Sequence, residues 1–200
     1  SVTFEEGSKL TSIGNSAFSS CSNLTSVVIP SSVTSIGSDA FYSCSKLTSV
    51  VIPSSVTSIG SNAFYSCNKL YTIYNFSSLD IVAGSGDNGG VARYARAVYK
   101  EFPIQVGEFK YVEQDDDFIL AEYLGSDTEP VIDSRVTQIG GSAFYQNISV
   151  TRIIIPASVT SIGRYAFYEC TNLTSVIFEE GSLLTTIDDY AFYKCTNLTS

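Results

Sequence analysis

The stretch Leu24–Cys44 reads LTSVVIPSSVTSIGSDAFYSC, and the chain repeats it from Leu47 as LTSVVIPSSVTSIGSNAFYSC, with one substitution. The same frame starts again at Leu70, a further 23 residues on, and returns at Val150 and Leu173. A fixed period of this length is typical of solenoids, in which equivalent residues of successive coils stack on one another. The repetition therefore predicts a core that is shared between neighbouring coils.

Each repeat predicts one short strand. Leu24, Val27 and Ile29 are spaced as in the L-x-x-L-x-L core of a leucine-rich repeat, and the alternation of Val27 and Ile29 suits a strand with one face inward. Pro30 ends the strand because proline cannot donate a hydrogen bond to a sheet.

The second half of each repeat predicts a turn. Val33 and Ile36 form a second inward pair, and Gly37 permits a tight turn after them. Ala40 and Cys44 lie four residues apart around Phe41, which is the spacing of one helical turn. The expected fold is therefore an α/β repeat, a leucine-rich-repeat solenoid of ~23-residue coils with parallel strands.

The phrase IPSSVTSIGSDAFYSCSKLTSV, residues 29–50, resembles the BspA-like (LRR_5 type) leucine-rich repeats of bacterial surface proteins. The resemblance extends over residues 1–82 and 130–200. It implies a secreted or cell-surface protein of a host-associated microbe. Several members of that family bind host matrix proteins or mediate adhesion and co-aggregation. The first residues resemble 175–188, so we expect a piece of a longer array.

The repeat frame is lost between residues 83 and 129, which predicts an interrupting segment between arrays at 1–82 and 130–200. In VARYARAVYKEF, residues 91–102, apolar and basic side chains fall on opposite faces of a helix that Pro103 would stop. Residues 108–125 alternate as two strands around an acidic tip, which predicts a β-hairpin. The solenoid is thus expected to be interrupted by a helix plus β-hairpin insert.

Composition excludes several functions. The formal net charge is −9 and the pI about 4.4, which argues against nucleic acid or an anionic membrane as partner. No apolar run is long enough for a transmembrane helix, so no membrane insertion is expected. Without any histidine, the chain lacks the usual general base and the commonest metal ligand. We therefore expect no enzyme, no cofactor and no metal centre.

Two motifs have residue types that occur in ligand sites. Gly84-x-Gly86-x-x-Gly89 matches the dinucleotide fingerprint, but a hairpin follows it instead of the required βαβ unit. The acidic tip at Asp115–Asp117 could offer oxygen ligands to Ca²⁺, although its spacing is not that of a calcium loop and a solvated tip is the simpler interpretation. The sequence leaves calcium binding open.

All five cysteines, at positions 21, 44, 67, 170 and 195, occupy one repeat position. Stacked coils would place neighbouring cysteines ~5 Å apart, within reach of a disulfide by distance alone. One repeat has Asn147 at this position, and asparagine can replace a small buried group that bonds to the backbone. Reduced, buried packing thiols are therefore the expected state.

Two surfaces are candidate ligand-binding sites. If Val27 and Ile29 point inward, the residues between them lie on an exposed strand face with apolar, aromatic and hydroxyl side chains. The strand-face candidates are Val28, Val51, Tyr71, Tyr74, Arg152, Ile154 and Ile177. The tyrosines that follow each Ala-Phe pair form a secondary line, Tyr42, Tyr65, Tyr145, Tyr168 and Tyr193. Alternatively, β-branched residues simply suit a strand surface, and the tyrosines lean along the coil edge.

The sequence thus predicts non-catalytic binding of a protein or glycoprotein ligand from a host or neighbouring cell, at an extracellular or cell-surface location. The alternative is a structural spacer that displays another domain. A spacer should tolerate charge on the strand face, whereas a binding module should not.

Overall fold

Short parallel strands dominate the structure, a computed structural model that describes residues 2–5 and 7–200. Two compact units divide the chain, unit 1 at residues 1–101 and unit 2 at residues 102–200. The strands of unit 1 are β1 Ser12–Ile13, β2 Ser26–Val28, β3 Ser35–Ile36, β4 Ser49–Ile52, β5 Ser58–Ile59, β6 Thr72–Asn75 and β7 Ala97–Tyr99.

Unit 1 contains two parallel ladders, β2-β4-β6-β7 and β1-β3-β5. In the first, Val27, Val50 and Ile73 lie side by side in register and are buried. This confirms the predicted strand and its inward face. The second ladder was not predicted as strand: the inward Ile36 is buried as expected, but Ser35–Ile36 also pairs with the equivalent dipeptides of adjacent coils.

The segment around each Ala-Phe pair folds as successive turns. The predicted helical turn is wrong here, because Asp39 and Ser43 adopt left-handed φ values of 56°. The amides of Tyr42 and Cys44 donate to the carbonyls three residues earlier, at 3.0 and 3.2 Å. These turns stack the Phe41 ring between those of equivalent residues, with ring centroids 5.2 Å from Phe18 and 5.0 Å from Phe64.

Adjacent coils approach closely at the glycines that follow the S-I pairs of the second and third coils. A Cβ on Gly37 would lie 2.6 Å from the backbone nitrogen of Asn15, and one on Gly60 would lie 2.5 Å from that of Ser38. Distances this short exclude any side chain. The role of this glycine is close packing between coils, whereas Asp39 and Ser43 supply the left-handed turn conformation.

The helix predicted over residues 91–102 is wrong. Residues 83–99 instead form one more coil, in which Ala97–Tyr99 pairs parallel with Thr72–Asn75 as strand β7. A helix would need amides bonded within the segment, but the Arg96 amide donates to the Tyr71 carbonyl of the previous coil at 2.8 Å. The one helical turn of the described residues, α1 Asp87–Gly90, is itself interrupted by left-handed φ values at Asn88 and Gly89.

Unit 2 contains eight strands. They are β8 Ile104–Val106, β9 Phe109–Gln114, β10 Asp117–Tyr123, β11 Gln138–Ile139, β12 Arg152–Ile155, β13 Ser161–Ile162, β14 Ser175–Phe178 and β15 Thr186–Ile187. Strands β12 and β14 form one parallel ladder. The other sheet has the order β15-β13-β11-β10-β9-β8.

The predicted hairpin is confirmed, since β9 and β10 pair antiparallel around a tip at Asp115 and Asp116. Strand β8 adds a third antiparallel strand beside β9, and β10 pairs parallel with β11 on its other side. The hairpin strand therefore continues a solenoid ladder. Tyr123 occupies the place of the repeat phenylalanine, with its ring centroid 5.2 Å from that of Phe144.

Each unit is thus a parallel-strand solenoid of the leucine-rich-repeat type. The α/β label is wrong, because turns and not helices connect the strands of the described residues. The physical reason is the left-handed residue before each Ala-Phe pair and the second one before each cysteine, which break any run of helical dihedrals.

Candidate functional site

The strand face of unit 1 is a ladder of hydroxyl and apolar side chains. The inward residues of β2, β4 and β6 alternate with outward ones, so that two outward rows run across the strands. One row contains Ser26, Ser49 and Thr72, and the other contains Val28, Val51 and Tyr74. Val28 is 59% exposed, while Val51 and Tyr74 are half-buried.

Aromatic and cationic side chains meet at the β6 end of this face. The Arg96 guanidinium carbon lies 3.8 Å from the centroid of the Tyr71 ring. Tyr74 lies beside Tyr99, with ring centroids 6.3 Å apart. Of the predicted candidates, Tyr74 lies on strand β6 and Tyr71 directly precedes that strand, and Arg96 covers the Tyr71 ring. Sequence reasoning missed Arg96 and Tyr99 because it placed them on a helix.

The strand face of unit 2 contains the predicted Arg152, Ile154 and Ile177. Arg152 pairs with Ser175 and Ile154 with Ile177 across β12 and β14. Val131, which is 85% exposed, occupies the same frame position one coil earlier, although that coil forms no strand there. The sequence signal for it was present in the resumed frame at Val131–Ile132, but the residue was not selected as a candidate.

A depression of about 180 Å³ lies in this face, here named the Ile154 depression. Its floor is apolar and contains Pro130, Ile132 and Pro156, all of them buried. Val131 and Ile154 form its walls.

Charged side chains line the rim of the Ile154 depression. They are Glu129, Arg152 and Glu179. Nη1 of Arg152 lies 3.4 Å from Oε2 of Glu129, and Oε2 of Glu179 accepts the backbone N–H of Ala157 at 3.0 Å. An apolar floor beneath a charged rim can bind a side chain that combines a hydrocarbon stem with a polar head.

The tyrosine line forms face-to-face stacks within each unit. Tyr42 and Tyr65 stack at 5.9 Å in unit 1. In unit 2, the Tyr168 ring lies between Tyr145 at 5.1 Å and Tyr193 at 5.4 Å. The structure therefore places these predicted candidates in contact, with ring faces packed on one another and ring edges outward.

A second, unpredicted stack joins Tyr165 and Tyr190, with ring centroids 5.1 Å apart. Both residues have φ of 59°, a left-handed conformation that bulky residues rarely adopt. No sequence signal identified the stack of Tyr165 and Tyr190, because other repeats carry Ser, Asp or Asn at this position.

Glu169 lies beside the neighbouring stack that contains Tyr168. Lys194 and then Gln146 donate hydrogen bonds to Glu169 and lower the pKa of its carboxyl.

The cysteines are free thiols, of which Cys44, Cys67 and Cys170 are buried between coils, Cys195 is partly buried and Cys21 is exposed, contrary to the burial predicted for it. The Cys67 Sγ donates to the Phe41 carbonyl at 3.1 Å, and the Cys170 Sγ donates to the Phe144 carbonyl at 3.0 Å. A hydrogen bond with Cys44 and then burial raise the pKa of Cys67. This arrangement confirms the predicted packing role and keeps this thiol protonated. Asn147, at the same repeat position, bonds to backbone groups instead.

Within the described residues, no three His, Cys, Asp or Glu side chains group in a way that could hold a metal ion. At the hairpin tip, the Asp117 carboxylate accepts hydrogen bonds from Thr137 and Gln138 and thereby joins the hairpin to the next coil. In residues 2–5 and 7–200, no helix has the length and apolarity needed to cross a membrane.

The ladders and their stacked phenylalanines define the chain as a leucine-rich-repeat solenoid. The model of the BspA-type leucine-rich repeat region matches residues 1–85 and 123–200 in six copies. The chain belongs to this family, which confirms the resemblance drawn from its repeats.

Solved structures of bacterial repeat proteins are similar to the chain. A leucine-rich repeat protein from Bacteroides capillosus is 32% identical over 50% of this chain and 80% of its own, with a TM-score of 0.45. A leucine-rich cell surface protein from Faecalibacterium prausnitzii is 28% identical over 97% of this chain and 51% of its own, with a TM-score of 0.42. The chain thus spans about half the length of that protein. No curated protein matches the chain.

Proposed function

We propose that the strand faces of this chain bind a protein partner, in a secreted or cell-surface protein. The observation that carries the proposal is the row of outward-facing, exposed or half-buried apolar side chains aligned in register across the parallel strands. Val28, Val51 and Tyr74 form it in unit 1, and Ile154 and Ile177 form it in unit 2. Rows of this kind on a solenoid face supply extended apolar contact with a hydroxyl-bearing border.

Chemistry and charge support a protein as the partner. The chain offers no histidine and a net charge of −9, which disfavour general-base catalysis and nucleic acid binding. Tyr71 and Tyr74 bring large contact areas with little rotamer freedom to lose, a property of protein-binding surfaces. The location outside the cell follows from membership in the BspA-type family and is part of the proposal.

The test is binding of the purified chain to an immobilised panel of extracellular-matrix proteins, mucins and glycans. Val28→Asp places a charge in the apolar row of unit 1, and Ile154→Asp does so in unit 2. Val82→Asp and Ile148→Asp are matched controls, because these residues are similarly exposed but lie outside the strands.

We expect saturable binding to at least one protein, lost in a strand-face variant and retained in the controls. Circular dichroism must show that all four variants stay folded. A flat response across the panel, or full binding by both strand-face variants, would contradict the proposal and favour the spacer interpretation.

A further inference from the structure

Charge is distributed unequally along the chain. Unit 1 contains six acidic and six basic residues, whereas unit 2 contains fourteen acidic and five basic ones. The whole net charge of −9 therefore belongs to unit 2. A surface with this excess attracts cationic groups from solution and disfavours anionic ones.

Glu179 is one of the acidic residues of unit 2, and it lies at the rim of the Ile154 depression. The second rim carboxylate, Glu129, already pairs with Arg152 at 3.4 Å. Among the ion pairs of the described residues none involves Glu179, whose carboxylate accepts only the backbone N–H of Ala157. Within residues 2–5 and 7–200, the Glu179 carboxylate therefore lies at the edge of the Ile154 depression without a cationic partner.

We propose that the Ile154 depression binds a lysine or arginine side chain of the protein partner. The hydrocarbon stem lies between Val131 and Ile154, over the buried prolines of the floor, and the cationic head meets the Glu179 carboxylate. Long basic side chains place stem and head in this way wherever an apolar surface borders a charged rim. The cavity of about 180 Å³ accommodates one such side chain. The assignment rests on the proposed function, since it names the partner residue that the face recognises.

The described strands of unit 1 carry no equivalent charged rim. In the repeat frame Ser26 takes the position of Arg152, and Pro53, one coil later, takes that of Glu179. Its strand face therefore has the same apolar row without the carboxylate, and it provides an internal comparison. A cationic ligand should perturb unit 2 and leave the unit 1 ladder unchanged.

The experiment uses the full ¹⁵N-labelled chain and two small probes, N-acetyl-lysine methylamide and N-acetyl-norleucine methylamide. The probes share the hydrocarbon stem, and only the first carries an ammonium group. We expect the lysine probe to shift the amide resonances of Val131, Ile154 and Ala157, with about two- to fivefold tighter binding than the norleucine probe, as for an exposed ion pair.

Glu179→Gln should abolish that preference, because glutamine keeps the acceptor for the Ala157 amide but loses the charge. Glu180→Gln is the matched control, since Glu180 is exposed and adjacent but outside the depression. Equal shifts by both probes, shifts confined to the acidic hairpin tip, or a preference that survives Glu179→Gln would each overturn the assignment.

Failure of this assignment and failure of the proposed function give different results. Partner binding that depends on Ile154 but not on Glu179 would overturn only the cationic pocket. A lysine preference in the probe experiment together with a flat protein panel would overturn only the proposed protein-binding role.

Discussion

Units 1 and 2 have the same interior and different surfaces. In both, a buried phenylalanine lies between the rings of equivalent residues, Phe41 at 5.2 and 5.0 Å and Phe144 at 5.2 and 4.8 Å. Yet unit 1 has no net charge and unit 2 carries −9. Stacking between coils therefore constrains which residues can face inward. The outward residues are not constrained in this way, so their charge and polarity can differ between the units.

The two units also show that a coil can pair with its neighbour without the phenylalanine and cysteine of the repeat. The last coil of unit 1 has Gly90 and Ala92 near the places of the repeat phenylalanine and cysteine, yet its strand β7 pairs in register. In unit 2, the hairpin strand β10 pairs directly with the ladder strand β11. Backbone register and close approach between coils define the fold, and individual core side chains can be lost at its ends.

The largest expected effect tests whether the shared interior has the same energy in both units. Phe41→Ala and Phe144→Ala each remove a fully buried ring from the middle of a stack. We expect each to lower the free energy of unfolding by about 3–5 kcal/mol, because both leave a cavity and lose two ring contacts. Urea denaturation followed by far-ultraviolet circular dichroism measures the loss.

Phe102→Ala is the control, since this ring is 56% exposed and its removal should lower the free energy of unfolding far less. Losses at Phe41 and Phe144 that differ by several kcal/mol would break the comparison. They would mean that the charged surface of unit 2 changes the energetics of its core.

The second-largest expected effect tests the last coil of unit 1, which lacks the repeat phenylalanine and cysteine. Gly89 has φ of +65°, and a Cβ there would lie 2.4 Å from the Gly60 carbonyl oxygen. Gly107 in unit 2 has nearly the same φ, +61°, with nothing within 4 Å. Gly107→Ala should therefore cost only the left-handed strain of about 1–2 kcal/mol, and Gly89→Ala about 1–3 kcal/mol more from overpacking.

The same urea titration measures both glycine variants. Equal losses would show that the previous coil moves away at no cost. The close approach of Gly89 to Gly60 would then contribute nothing to the stability of the last coil of unit 1.

The repeat predicted the strands and their inward residues because those positions recur with period 23. It did not predict the left-handed residues, since Asp39, Asn62 and Ser142 are types common in turns of every kind and the backbone of the coil imposes their conformation. The segment at 91–102 has a helical apolar pattern, but pairing with the preceding strand outweighs that local preference. Hydrogen bonds to the preceding coil therefore determine the conformation of this segment, whereas its apolar periodicity alone predicts a helix.

For the candidate site, strict strand alternation predicted which strand residues face outward, while their role in binding stays a prediction. The Ile154 depression was beyond it, since Glu129, Pro130 and Ile132 belong to a coil in which the frame had only just resumed. The stacked pair Tyr165 and Tyr190 was also beyond it, because a tyrosine in a left-handed turn contradicts the residue preference of that position. Both features exist only when neighbouring coils are stacked.

The smallest expected effect distinguishes the units by acid sensitivity. Hydrogen bonds from Arg135, first those from its side chain and then the one from its backbone N–H, lower the pKa of Asp133 to about 2 from an ordinary value of 3.8. A carboxyl whose pKa is lower in the folded state stabilises the fold above pH ~4, and this contribution disappears between pH ~4 and ~2. The same frame position in unit 1 is Pro30 or Pro53, which do not titrate.

Asp133→Asn should therefore lower the urea midpoint at pH 6 and converge with the unmodified chain near pH 2. The shift should be smaller than those of the substitutions above, because the Arg135 side chain is 71% exposed and solvent and salt screen the pair. Asp127→Asn removes another acid of unit 2 without breaking an ion pair of the described residues, and it provides the control. If both variants respond to pH alike, the acid sensitivity of unit 2 arises from its overall negative charge, and the Asp133–Arg135 pair adds nothing specific to it.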